Sequence, residues 1–167
     1  MFDVTRLIED IRTARRYTEG ILEQIEQRDW FRQPAEGVTH VAWQVGHLAV
    51  AQQSLALRRV RGERAGDVAL LPPNFRGLFG KGSTPILDPS AYPPPQQIRV
   101  VFDRVHQQVV EESADWSEAL LAEASDTPPH PMFKTKAGSV RWSVQHEFLH
   151  AGQIGLLRRF LGASPLW

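Results

Sequence analysis

The chain has 167 residues, of which 42% are hydrophobic and 23% charged, and nineteen basic residues balance nineteen acidic ones. These values are ordinary for a globular protein and give no indication of a nucleic-acid or anionic-membrane partner. The chain has no cysteine, which excludes disulfides and thiolate ligands, so any metal must be held by nitrogen and oxygen. No apolar run approaches the roughly 20 residues of a membrane span. We expect one domain, residues 1–167, of a soluble cytoplasmic protein.

The first part of the chain predicts two amphipathic helices. Apolar residues recur every three or four positions from Val4 to Ile25, among charged residues that are unlike a signal peptide. After a short break, Thr39 is the expected N-cap of a second helix that runs to about Arg61. One stripe of this second helix carries Trp43, His47, Val50, Ser54 and Leu57.

A long segment, residues 62–95, follows the second helix and is called the connection below. It holds seven of the twelve prolines and five of the twelve glycines, so we expect no helix in it. A connection of this length is uncommon in a compact domain unless it has a role. Two compatible roles are a crossover that returns to the starting end of a bundle, and a lid or pocket wall. Its apolar residues predict packing against the core: Leu70, Leu71, Phe75, Leu78, Phe79, Ile86 and Leu87.

Two further helices complete the expected architecture. Apolar residues at helical spacing predict a third helix from about Gln96 to Leu121. A fourth helix follows Gly138, with Ser139 as its N-cap, and continues to about Leu161. No segment shows the sustained alternation of a strand, so the sequence predicts an all-α fold, and four helices of this length predict a four-helix bundle.

The fourth helix contains HEFLH, residues 146–150, which matches the H-E-x-x-H pattern of zinc peptidases. His146 and His150 lie one turn apart on the same helix face, so both rings can bind one metal ion. A peptidase needs a third ligand, usually downstream, but no His, Asp or Glu follows His150, and we reject that function. Glu147 points about 100° away from His146. It is either a solvated helix residue or a general base, and stands only as a candidate catalytic residue.

A third histidine, His47, lies on the apolar stripe of the second helix. The corresponding inward stripe of the fourth helix is predicted to be Trp142, His146, His150, Gln153, Leu157 and Phe160. A single histidine on an apolar face is usually a hydrogen-bonded core residue, and two at this spacing favour neither interpretation. A third histidine, at a similar depth on another helix, favours a shared metal ion, because buried polar rings need partners. Three neutral imidazoles leave an open position, as in catalytic metal sites, and binding should weaken as the pH falls through about 6.5.

The remaining histidines are poorer ligand candidates. His40, at the start of the second helix, and His130, among prolines, are expected to be exposed. His106 lies one residue off the apolar stripe of the third helix, where we expect a residue at the rim of the bundle. It is the reserve candidate for a fourth ligand.

Two segments, GHLAVAQQ at residues 46–53 and HEFLHAGQIGLLRRFLG at residues 146–162, resemble the DinB/YfiT-like superfamily of bacterial metal-binding four-helix bundles. The resemblance in helix order covers nearly the whole chain. It implies one metal ligand from the second helix and two from the fourth, which correspond to His47, His146 and His150. It also implies an up-down-down-up bundle with a long crossover between helices two and three. The connection is longer and richer in proline than this resemblance leads us to expect.

Members that this chain resembles include low-molecular-weight-thiol S-transferases and a thiol-dependent isomerase. The resemblance implies an enzyme in which a divalent ion, zinc or nickel by ligand type, activates a low-molecular-weight thiol or water. The electrophilic small-molecule substrate would bind between the helices and the connection. Two alternatives stay open: a metal-dependent hydrolase at the same site, and a non-catalytic metal-binding bundle in regulation or stress response. The resemblance also implies a homodimer, with helix one or three as the contact surface.

Overall fold

The computed structural model describes residues 3–125 and 129–166. Four long helices dominate these ranges: α1 is Val4–Leu22; α2 is Val41–Gln52, continued by a π-helical segment, Gln53–Arg58, and a last turn, Arg59–Arg61; α5 is Pro95–Ser113; and α7 is Lys136–Phe160. Three short α-helices lie between them: α3 is Asp67–Leu70, α4 is Phe75–Phe79 and α6 is Glu118–Ala122. Two 3-10 turns, Gln27–Asp29 and Pro89–Ala91, lie there as well. The described part of the chain has two isolated bridges and no strand. The all-α prediction is confirmed.

The four long helices pack in a closed ring: α1 contacts α7, α7 contacts α2, α2 contacts α5, and α5 contacts α1. Each contributes fully buried apolar side chains to one core, among them Ala14, Val45, Phe102 and Ile154. Burying a valine, phenylalanine or isoleucine side chain typically contributes about 1.5–3 kcal/mol to the stability of the fold, and the smaller alanine contributes less. The up-down-down-up order of helix directions stays a prediction. None of the described helices is both long and apolar enough to cross a membrane.

Two predicted N-caps are wrong, because other side chains accept the first free amides. His40, not Thr39, caps α2, and its Nδ1 accepts a hydrogen bond from the Trp43 amide at 3.1 Å. Thr135, not Ser139, caps α7 through its hydroxyl oxygen, so this helix starts four residues earlier than predicted. The Ser139 hydroxyl instead donates to a carbonyl in the π-helical segment of α2, at 2.7 Å. It therefore joins two helices of the bundle.

The predicted third helix, Gln96 to Leu121, is divided in two. Helix α5 ends at Ser113, whose hydroxyl donates back to the Val110 carbonyl at 2.7 Å. Helix α6 restarts after Ser117, whose side chain caps its first turn. Serine is favoured at helix ends because its short side chain can form hydrogen bonds with nearby backbone groups.

The connection contains helices α3 and α4, so the expectation that it has none is wrong. Most of its apolar side chains pack against the core as predicted, with Leu70, Leu71, Phe75 and Phe79 buried. Ile86 and Leu87 are exceptions, at 45% and 67% exposed. Helix α4 contacts α2, which also contacts α5 and α7, and together these neighbours bury α2 on most of its sides. The connection thus covers the helix that carries His47.

Candidate metal centre

His47, His146 and His150 come together as predicted, between α2 and α7. One ring nitrogen from each lies within 4.8 Å of the other two, and all three side chains are half-buried. The Nε2 atoms of His146 and His150 are 3.2 Å apart. Two nitrogens on one tetrahedral zinc ion lie about 3.4 Å apart for bonds of about 2.05 Å. The spacing of this pair therefore fits a shared ion, and the whole cluster is compatible with metal binding.

Hydrogen bonds fix the tautomer of two of the three rings. The His47 Nδ1 lies 2.7 Å from the Phe79 carbonyl oxygen, and because a carbonyl only accepts, Nδ1 must carry the proton. The His150 Nδ1 contacts the Gln44 side-chain oxygen. The Gln44 amide nitrogen donates to the Gln153 side-chain oxygen at 2.8 Å, which leaves the Gln44 oxygen as the acceptor for His150. In both rings Nε2 thus carries a lone pair and no proton, which is the form that binds a cation.

Burial keeps these imidazoles neutral. Burial, followed by the neighbouring histidines, lowers the pKa of His146 to about 4 and of His150 to about 3. Burial also lowers the pKa of His47, against a smaller opposing effect of the Phe79 carbonyl. A neutral imidazole is the form that binds metal. All three ligands are therefore available at neutral pH without losing a proton first.

The histidines of α7 lie beside the core face of the helix and not in its centre. The buried face of α7 includes Val140, Ser143, Glu147, Ala151, Ile154 and Leu157. Gln153 and Phe160, which were predicted to point inward, are exposed. The predicted stripe is thus rotated relative to the observed one. This rotation leaves His146 and His150 at the edge of the core, where a ligand can reach them.

Glu147 is buried, so of the two interpretations left open by the sequence, the solvated helix residue is wrong. Its Oε1 accepts a hydrogen bond from the Arg15 Nε at 2.8 Å, and both side chains are under 5% exposed. The other Arg15 nitrogens donate to the Phe102 carbonyl at 3.0 Å and to the Gln52 side-chain oxygen at 2.9 Å. A sequence signal for this pair exists: Arg15 follows Ile11 by four residues on the apolar stripe of α1, and a buried cation requires a partner. The catalytic role of Glu147 stays a prediction.

His40 and His130 are less exposed than predicted. His40 is 1% exposed and packs edge-on against the rings of Phe31 and Tyr92, and burial lowers its pKa to about 4. His130 is half-buried because its ring stacks on Phe133, with the centroids 4.3 Å apart. Neither residue belongs to the group of three ligands found among the described residues.

His106 is a half-buried residue on α5, in keeping with a place at the rim. Its Nδ1 lies 3.3 Å from the Gln52 amide nitrogen, and burial, followed by Arg15, lowers its pKa to about 3. Within the part of the chain that the structure describes, it is not a member of the three-histidine group. The geometry therefore gives no support for His106 as a fourth ligand.

Aromatic side chains border the site, one from each helix that supplies a ligand. The Trp43 ring stacks on His47, with centroids 4.7 Å apart and planes 10° apart, and its Nε1 donates to the Ser83 hydroxyl at 3.0 Å. The Trp142 centroid is 6.4 Å from that of His146. In both helices the tryptophan precedes the histidine by four residues, and this spacing predicts that each tryptophan lies beside its histidine. Ser83 carried no such signal, because its contact depends on how the connection folds.

The model of the DinB superfamily matches residues 10–154. This range includes the connection, the three histidines and most of the four long helices. No curated protein matches the chain. Because the family model covers most of the sequence, the chain belongs to the DinB superfamily.

Proposed function

We propose that this protein is a metal-dependent transferase in which His47, His146 and His150 hold one divalent ion, zinc or nickel. The observation that carries the proposal is the convergence of three neutral imidazoles, two of them held in the tautomer with an unprotonated Nε2. A divalent ion bound there would lower the pKa of a thiol or water at its open position. The thiol or water could then act as a nucleophile at neutral pH. The protein would transfer this nucleophile to a small electrophile.

The ligand set favours an anionic nucleophile. All three ligands are uncharged, and the group contains no carboxylate. An imidazole-only set therefore leaves the full charge of a divalent ion for the remaining position. That charge favours a thiolate or hydroxide there.

A thiol fits the surroundings better than water does. The nearest acidic neighbour in sequence, Glu147, is committed to Arg15 in the core, and so is not free to take a proton from bound water. An ordinary thiol has a pKa of about 8.5, whereas the pKa of water is about 15.7, so a thiol needs far less help to ionise. This difference supports a thiol transferase over the alternative, a metal-dependent hydrolase.

The rings of Trp43 and Trp142 suggest the shape of the electrophile. Both are half-buried beside the histidines and so keep part of their surface accessible. Indole faces bind flat apolar groups well through stacking and burial. We therefore propose a small electrophile with a planar apolar part, bound between the helices and the connection.

The proposal is tested with protein loaded with zinc or nickel, a panel of low-molecular-weight thiols and an activated aryl halide. We expect turnover that requires both the metal and a thiol, and that disappears in His47→Ala together with the bound metal. His130→Ala is the matched control, since it removes an imidazole outside the ligand group, and should keep both metal and turnover. Ester hydrolysis without any thiol would establish the hydrolase instead. Metal binding without turnover of either substrate would leave a non-catalytic metal-binding protein.

A further inference from the structure

We propose that the connection is part of the metal centre, because its residues 79–83 orient His47, with Gly46 providing the space this requires. The inference rests on the metal site proposed above and assigns a positioning role to residues outside the three ligands. It also gives the connection a purpose beyond linking α2 to α5.

The first contact is between the His47 ring and the end of α4. The Phe79 carbonyl oxygen accepts a hydrogen bond from the His47 Nδ1–H, with 2.7 Å between the nitrogen and the oxygen. This bond selects the tautomer with a free Nε2 and limits rotation of the ring. Groups that hold the far nitrogen of a metal-binding histidine in this way typically change metal affinity 10–100-fold. A backbone carbonyl can do this only if the main chain of α4 is held firmly.

The second contact acts on the face of the same ring. Trp43 stacks almost parallel on His47, and the Trp43 indole is itself tied to the Ser83 hydroxyl at 3.0 Å. Ser83 lies four residues beyond Phe79 in the connection. The same short stretch therefore holds the edge of the His47 ring directly and its face through Trp43.

Gly46 explains how α4 comes close enough to do this. A Cβ atom at position 46 would lie less than 3.0 Å from three carbon atoms of the Phe79 ring. That ring cannot move aside easily, since it is fully buried and packs against the rings of Phe75 and Tyr92, with centroids 4.6 and 5.4 Å away. Only glycine permits this approach one residue before the metal ligand. Gly77, in the same short helix, has open space around it.

His47 and His150 are therefore positioned by different means. His150 is held by Gln44, a buried side chain of α2 within the bundle. His47 depends on a segment that must fold down from the connection. Displacing that segment should loosen one metal ligand and leave the other two in place.

The experiment compares Gly46→Ala and Ser83→Ala with the control Gly77→Ala. Zinc affinity is measured by competition with a chromophoric chelator, and helix content by circular dichroism. We expect Gly46→Ala to bind zinc about tenfold or more weakly, Ser83→Ala a few-fold more weakly, and Gly77→Ala like the parent. The His47 ring is also followed by ¹⁵N NMR without metal. The parent should show the Nδ1–H tautomer, and Gly46→Ala should show a mixture of tautomers.

Each outcome decides the proposal. Folded Gly46→Ala with unchanged zinc affinity and tautomer would overturn it, as would an Nε2–H tautomer in the parent protein. If Gly46→Ala does not fold, Ser83→Ala decides by the same two measurements. If the parent binds neither zinc nor nickel, the proposed function fails, and the metal-free NMR result alone shows whether the connection orients His47.

Discussion

Arg15 on α1 and Glu147 on α7 form an ion pair in the interior of the bundle, with 2.8 Å between the Arg15 Nε and the Glu147 Oε1. Glu147 immediately follows the metal-ligand candidate His146, so the pair fixes which side of α7 faces the core. Hydrophobicity alone does not fix it, because α7 also carries exposed apolar residues such as Leu149 and Leu156. The ion pair thus places the histidines at the edge of the core, where they meet His47.

Glu147→Ala should destabilise the fold strongly, because it leaves the Arg15 cation buried without its carboxylate. Loss of one partner of a buried pair typically costs about 3–5 kcal/mol in the free energy of unfolding. Urea denaturation followed by circular dichroism measures this change. Arg15→Met combined with Glu147→Leu should recover part of the loss, since neither charge is then buried.

The exposed pair of Arg6 and Asp10, with side chains 75% and 41% exposed, supplies the control. Asp10→Ala should leave the midpoint of unfolding almost unchanged, because solvent screens such pairs. An equally small effect of Glu147→Ala would show that the buried ion pair does not fix the orientation of α7 in the bundle.

The features that the sequence predicts correctly depend on local spacing. The four long helices follow from apolar residues three and four apart, and the pairing of His146 with His150 follows from helix geometry. The position of His47 beside them is predicted by its depth on the apolar stripe of the second helix and by the family resemblance. Each of these signals lies within one helix or one motif.

The features that were missed depend on contacts between segments distant in sequence. The sequence does not predict the burial of Glu147, because its partner, Arg15, is 132 residues away. His40 was placed at the surface because Tyr92, in the connection, covers it. Phe79 could not be assigned a role, since its contact is made by a backbone carbonyl, which every residue has. Spacing within a helix carries no information on such partners.

The buried histidines make stability depend on pH. Burial lowers the pKa of His40 and His146 to about 4, and of His106 and His150 to about 3, from an ordinary value of 6.5. As the pH falls below 6.5 the unfolded chain takes up protons before the folded chain does, so stability is lost. The metal-free protein should therefore be at full stability above pH 6.5 and lose stability down to about pH 3. Thermal melts across this range test the prediction, and a melting temperature constant from pH 7 to 4 would contradict it.

The same shifts change the expected pH dependence of metal binding. The sequence predicted that binding weakens through the ordinary imidazole range. In the folded protein protons compete with metal only below that range, since the pKa values of all three ligands are lowered. Zinc affinity should thus change little between pH 7 and 6, as measured by chelator competition. A tenfold loss over that single unit would show that the rings titrate normally.

We propose that α7 offers a surface for pairing two copies of the chain, and the expected pairing through helix one or three stays a prediction. Leu149, Leu156 and Phe160 follow one another at helical spacing and are 58%, 53% and 61% exposed. Such a strip on one helix can pack against its own copy about a two-fold axis. Leu156→Glu should shift sedimentation at roughly tens of micromolar protein from dimer to monomer. Val68→Glu, at a 72% exposed position on α3, is the matched control, and a monomeric parent would end this proposal.

Gln44 is the residue on which the orientation of His150 depends. Gln44 is 1% exposed; its side-chain oxygen accepts a hydrogen bond from the His150 Nδ1–H, and its amide nitrogen donates to Gln153. Gln44→Leu keeps a similar volume but removes the acceptor, so His150 loses both its fixed tautomer and its ring orientation. Zinc affinity should fall about 10–100-fold, measured by chelator competition, while the helical signal is kept.

Two comparisons separate this effect from a general loss of packing. Gln145→Leu makes the same chemical change at an exposed position of α7 and should leave zinc affinity unchanged. Gln44→Glu restores a side-chain acceptor at position 44, and should recover affinity because a carboxylate accepts a hydrogen bond from Nδ1–H at least as well as an amide does. If Gln44→Leu binds zinc as tightly as the parent, the hydrogen bond to Gln44 does not position His150, and the ring must be held by its packing between α2 and α7 alone.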